Sequence, residues 1–299
     1  MQTYLAPIIV LFGLLISVQA LAEDGVLYTK GYVDGPYGQI HYHMAHPDSG
    51  QSNKTPVTFF HQNPKSAEEY RPLLEVVGRD RIALAFDTPG YGESDRPNAP
   101  PDMVGLAKAM AKALEGLGYG MNGKGKVDVF GFHTGVFIAS ELALQRPEIV
   151  RRVVLSGIAY YPQEDRDKRL ANLPVGKALP EDGSHIMNRW ELVVGKRAPG
   201  VSLERAAKIF LEDIRSLDKS WFAYDAVWRY APEDRLPRIK QPVLVLQPHE
   251  LLTELTIKAH RELLPAADLI ELPNITDNVF DTGAEEIGKA MTTWLDLPK

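Results

Sequence analysis

Short apolar runs alternate with longer stretches of mixed polarity along most of this chain, and that alternation sets the expected architecture. Residues 27–34 and 39–45 alternate apolar and polar positions on either side of Gly35-Pro36-Tyr37-Gly38, the pattern of two antiparallel strands joined by a turn. Residues 57–61, 82–86, 126–130, 153–157 and 243–246 are instead short segments dominated by Val, Leu, Ile, Phe and Ala, as in strands buried on both faces. Between these runs, helical patterns are expected from a Ser66 cap to about Val77, over residues 102–118, and over residues 136–144. Glu68 and Glu69 fall in the first turn of the first helix, where the helix dipole favours acidic groups. Strands alternating with helices of this length predict an α/β fold, a mostly parallel sheet with helices on both faces. In such a sheet, ligands bind at the carboxyl ends of the strands.

The pattern changes over residues 158–238, which are rich in charge and aromatic residues, contain Pro162, Pro174, Pro180 and Pro199, and lack strand runs. A mainly helical cap, inserted between body segments 23–157 and 239–299, is the expected organisation. Within it Trp221, Tyr224 and Trp228 recur at i, i+3 and i+7 and so share one helical face. That face either packs the cap onto the body or roofs an apolar substrate pocket.

Composition adds exclusions. A chain of 299 residues with 44% hydrophobic content is long enough to bury a substantial core. Its net charge of −6 comes with no basic run suited to nucleic acid or an anionic membrane. Residues 5–18 form an uncharged apolar run followed by Ala20-Leu21-Ala22, the pattern of a signal peptide over residues 1–22 cleaved before Glu23. The expected location is therefore periplasmic or secreted, with no stable membrane association after cleavage. With no cysteine, an oxidising compartment leaves the chain unchanged. No His/Cys/Asp/Glu spacing makes a metal site, Gly123-Lys124-Gly125-Lys126 precedes a strand rather than following one, and no cofactor is implied.

The most informative motif is Gly131-Phe132-His133-Thr134-Gly135, flanked by a strand pattern before and a helix pattern after. Glycines at both ends suit a strand-to-helix turn so tight that side chains there would collide. With this motif the chain resembles the α/β-hydrolase superfamily, whose nucleophile elbow reads G-x-S-x-G; here His133 stands in place of the serine. The resemblance extends over roughly residues 55–157 and 241–297. Phe60-His61-Gln62-Asn63-Pro64 is similar to the oxyanion loop H-G-x-P, with Gln62 replacing glycine, and Asp87-Thr88-Pro89-Gly90-Tyr91-Gly92 to the D-x-P-G-x-G segment. It implies oxyanion-hole N–H groups from Asn63 and Thr134, beside Gln62, and a bracing role for His61. The loop H-x-N-P is also similar to that of haloalkane dehalogenases, but those need Asp at the elbow.

The other triad positions also depart from the family. In the loop Gln247-Pro248-His249-Glu250-Leu251-Leu252, spacing puts Leu251 at the acid, with Glu250 one residue early. Spacing from Pro273 puts Asp277 at the family's histidine. An acyl-serine route is therefore not implied. Either the site has drifted and the fold serves binding, or the chemistry is exchanged, with His133 on the elbow oriented by Asp277 or Glu250 as a general base. The expectation is a hydrolase of a small ester, lactone or related neutral or moderately apolar carbonyl compound, working through a non-serine, histidine-based site. The alternatives are a catalytically inactive binding protein and a cofactor-free lyase.

Overall fold

A computed structural model describes residues 25–120 and 123–298; the expected signal peptide lies outside them. Eight strands form one sheet in the order β1-β2-β4-β3-β5-β6-β7-β8. They are β1 (Val26–Gly35), β2 (Gly38–Pro47), β3 (Val57–Phe60), β4 (Ala83–Phe86), β5 (Val127–Phe132), β6 (Val150–Ser156), β7 (Val243–Pro248) and β8 (Asp268–Leu272). β2 runs antiparallel to β1 and β4, and every pairing from β4 to β8 is parallel. Every residue of β3, β4, β5 and β7 is buried, as their mostly apolar runs predict, with Asp128 in β5 paired to Arg151.

Helices cover both faces. On one lie α1 (Arg71–Val77) and the C-terminal helix Ala284–Leu295, around a core that includes Phe59, Leu73, Phe130 and Met291. On the other lie α2 (Met103–Gly116) and α3 (Thr134–Gln145), around Phe86, Met110, Val129 and Phe137. The segment expected as one helix from Ser66 begins instead as a 3-10 turn, Ala67–Tyr70, with α1 after it. Pro72 supplies no N–H to an α-helical bond, so an α-helix cannot run unbroken through this point.

Between β6 and β7 the described residues contain helices and no strand. Val193, Val194, Ile209 and Phe210 make a small separate core within this segment. After β3 the chain moves to β4 on one side and then returns to β5 on the other. The loops leaving β3 and β5 therefore diverge at the carboxyl edge, which opens a crevice there.

Candidate functional site

The elbow is built as its glycines require. His133 follows β5 with φ 49° and ψ −110°, a backbone region that side chains other than glycine rarely occupy. A Cβ on Gly135 would sit 1.7 Å from the carbonyl oxygen of Phe60, and one on Gly131 would sit 2.3 Å from that of Gly135. Only hydrogen fits at either place, and the consequence is that His133 projects at the junction of β5 and α3.

His133 stacks on Phe132, with ring centroids 4.1 Å apart, and its Nε2 lies 3.0 Å from Oε2 of Glu250. The imidazole occupies the space over Gly157, where a Cβ would lie 2.3 Å from its Cδ2. Glu250 is held in a turn at the end of β7 by Thr253, whose hydroxyl accepts the Glu250 N–H at 2.9 Å. Its side chain is only 6% exposed, and Oε1 has no hydrogen-bond partner among the described residues. With Glu250 ionised, the ring nitrogen facing it carries the proton, so Nδ1 keeps the lone pair.

The two carboxylates named from spacing thus have different positions. Glu250, one residue early in the loop, reaches His133; Leu251, at the aligned position, is 87% exposed. Asp277 lies exposed on the wall of the same cavity and makes no hydrogen bond to His133. The reason is reach. An imidazole on the elbow is longer than a hydroxymethyl group and meets the acid without an intermediary, and Glu has one more methylene than Asp.

On the opposite wall, the loop after β3 shows a feature not anticipated from the sequence. The Gln62 N–H and the Gln62 side-chain amide both donate to Glu69, each at 2.9 Å. Burial pushes the Glu69 carboxyl up to about 7, against the opposing effects of Lys65 and of the two Gln62 hydrogen bonds. The Gln62 N–H is therefore committed. The Asn63 N–H and the N–H of Thr134, which opens α3, have no backbone acceptor among the described residues. Tyr224 donates its hydroxyl to the carbonyl of Asn63 at 2.7 Å. His61 braces the loop, donating through Nδ1 to the Gln62 carbonyl and accepting the Thr88 N–H at Nε2, both at 2.8 Å. Burial lowers its pKa, which agrees with this neutral tautomer.

His133 and Glu250 open onto a cavity of about 350 Å³. Its walls carry Gln62, Glu69, Lys65, Arg189 and Asp277. Lys65 and Arg189 share the buried carboxylate of Asp213. Neither cation was anticipated, because residues 65, 189 and 213 belong to no local pattern. Trp221, Tyr224 and Trp228 are not among the residues that line this cavity, and of the three Tyr224 touches the Asn63 loop beside it. Trp221 packs on Phe222, while Trp228 packs edge-on against Tyr161 at 5.7 Å and stacks with Tyr224 at 6.3 Å.

Residues 55–248 match the family model for the alpha/beta hydrolase fold. The chain is similar to a poly(3-hydroxyalkanoate) depolymerase of Ectopseudomonas oleovorans, 28% identical over 206 residues that span 66% of this chain and 68% of the relative. It is also similar to an (E)-2-((N-methylformamido)methylene)succinate hydrolase of Acinetobacter baylyi, 25% identical over 256 residues, or 82% and 92% of the two chains. In three dimensions it resembles the enol-lactonase of Burkholderia xenovorans with a TM-score of 0.70 at 19% identity, covering 89% of this chain and 100% of that one.

Proposed function

Because the chain belongs to the α/β-hydrolase fold family, we propose that it hydrolyses a small ester, lactone or related carbonyl compound with His133 as general base. The observation that carries this reading is the His133–Glu250 pair at the tip of an elbow that retains both glycines and a strained backbone. Strain of this kind costs on the order of 1–3 kcal/mol and persists where the surrounding structure imposes it.

In the proposed reaction, Nδ1 of His133 takes a proton from water as the oxygen attacks the carbonyl carbon. Glu250 fixes the tautomer and stabilises the imidazolium that forms. The tetrahedral oxyanion faces the N–H groups of Asn63 and Thr134. Collapse expels the leaving group, which takes the proton back from Nδ1. No covalent acyl-enzyme forms. The charged walls suit a small polar substrate better than a hydrocarbon one, a revision of the moderately apolar expectation. Export of the chain with removal of residues 1–22 also belongs to this proposal, and N-terminal sequencing of exported protein should begin at Glu23.

The test is a panel of small esters and lactones assayed with wild type and His133→Ala. The variant should lose on the order of 10²–10⁴ in kcat, and a serine-directed fluorophosphonate should leave the elbow unlabelled. Hydrolysis by His133→Ala at the wild-type rate refutes the mechanism. Wild type that binds panel members without turning any over favours the binding-protein alternative.

A further inference from the structure

The strands that deliver His133, Gly157 and Glu250 at their carboxyl ends carry a second concave surface at their amino ends. Lys126 precedes β5, Arg151 and Arg152 lie near the start of β6, and Lys240 precedes β7. Together they edge an open groove of about 620 Å³. Its apolar surface comes from the exposed Pro147, Pro242, Leu297 and Pro298, over the largely buried Trp294.

Charge is unbalanced in this groove. Asp268 is the one carboxylate among its lining residues, and it already accepts the indole N–H of Trp294 at 2.7 Å. Arg151 is paired with the buried Asp128. Arg152 is buried and meets no carboxylate among the described residues; it donates to the carbonyls of Trp294 and Leu297 at 2.6 and 2.7 Å and lies over the Trp294 ring. Lys126 reaches only the carbonyl of Pro147, and the exposed Lys240 ammonium has no carboxylate within 4 Å among the described residues. A neighbouring depression of about 530 Å³ shares Lys126 and Arg151 and adds Lys124 and Lys54, of which Lys54 is paired with Asp296. Six cations thus gather at one end of a chain whose net charge is −6, and with Arg151 and Lys54 paired to Asp128 and Asp296, four of them, Lys124, Lys126, Arg152 and Lys240, meet no carboxylate among the described residues.

We infer that this groove binds an amphipathic anion, a medium-length acyl chain ending in a carboxylate or phosphate. The anionic head meets Lys126, where the two depressions join, with Lys240 on the groove's other edge. The chain lies along Pro147, Pro242 and Leu297. The two parts divide the work: cations at the edge of low-dielectric walls attract and orient the head, and the apolar floor holds the tail. Concavity favours a single elongated molecule over a flat bilayer surface. This site is separate from the cavity of His133, since it lies at the opposite end of the same strands.

The test uses decanoate, decyl phosphate and the neutral decanol, titrated into the whole protein below their aggregation concentrations by calorimetry, with Trp fluorescence as a second signal. Wild type should bind both anions and bind decanol at least tenfold more weakly. Lys126→Glu combined with Lys240→Glu should weaken the anions at least tenfold. Both residues are exposed, and an unchanged melting temperature shows that the variant is folded. His133→Ala should bind as wild type does. Equal affinity for decanol, undiminished binding by the double variant, or loss of binding in His133→Ala each overturns the inference. So does sedimentation with phosphatidylglycerol vesicles in the absence of any monomeric binding, which would make this end a membrane-facing surface instead.

Discussion

His133 and Glu250 stand 117 residues apart in the chain and meet with Nε2 and Oε2 separated by 3.0 Å. The contact shortens the usual order of groups. Where the family places a serine on the elbow and a histidine between it and the acid, this chain puts the histidine on the elbow and brings it directly to the acid. Asp277, at the histidine's customary place, is left on the cavity wall.

The two carboxylates should therefore behave differently on mutation. Glu250→Gln removes the carboxylate charge that holds the imidazole tautomer and stabilises the imidazolium, and should lower kcat by about 10²-fold or more on any substrate identified, since it disables a positioned base. Asp277→Asn should change kcat by less than about threefold, because a solvated charge with no bond to the base contributes little. Steady-state kinetics of the two variants side by side decide this, and the reverse ranking would assign the pairing to Asp277.

Glu69 should make stability depend on pH. Its carboxyl is raised from 4.5 to about 7 in the folded protein by burial. Between those values the native state holds more protons than the unfolded chain, so stability falls as pH rises through this window and levels off above it. The contribution is about 3 kcal/mol at most. Urea unfolding of wild type and Glu69→Gln at pH 4.5 and pH 8 should show the variant gaining on wild type at the higher pH. A difference independent of pH would mean that the carboxyl is not raised.

Gly157→Ala should damage both fold and site. The residue has φ +69°, and a Cβ there would meet the His133 ring 2.3 Å away. Destabilisation of about 1–2 kcal/mol from the backbone alone is expected, together with displacement of the imidazole from Glu250. Thermal unfolding and the chemical shifts of the His133 ring would report these separately. A wild-type imidazole signature in the variant would show that the ring does not depend on this space.

Trp228→Ala should act on stability alone. Trp228 is half-buried against Tyr161 and Tyr224 and lies outside the cavity of His133. A loss of about 2–3 kcal/mol is expected, below the 3–5 typical of a fully buried aromatic residue. Ligand affinity at the His133 cavity should not change; a weakened ligand with an unaltered melting temperature would restore the pocket-roof role.

The α/β architecture was legible in the sequence, because strands buried on both faces read as nearly continuous apolar runs, as residues 83–86 and 243–246 do. The sequence also determined the elbow, because Gly131 and Gly135 stand where neighbouring backbone leaves no room for a Cβ. Local pattern could not decide which carboxylate serves His133. Alignment by spacing assumes that side chains of one length replace one another, whereas the partner depends on the reach of His and Glu and on the turn that Thr253 holds. Nor could it reveal that Glu69 clamps Gln62, since Glu69 reads equally well as a helix-start acid. The shared Asp213 of Lys65 and Arg189, and the six cations at the amino ends of the strands, were hidden for the same reason. Each group comes from segments far apart in the chain, and charge placed together only by the sheet's register and the cap's packing leaves no periodic trace in the sequence.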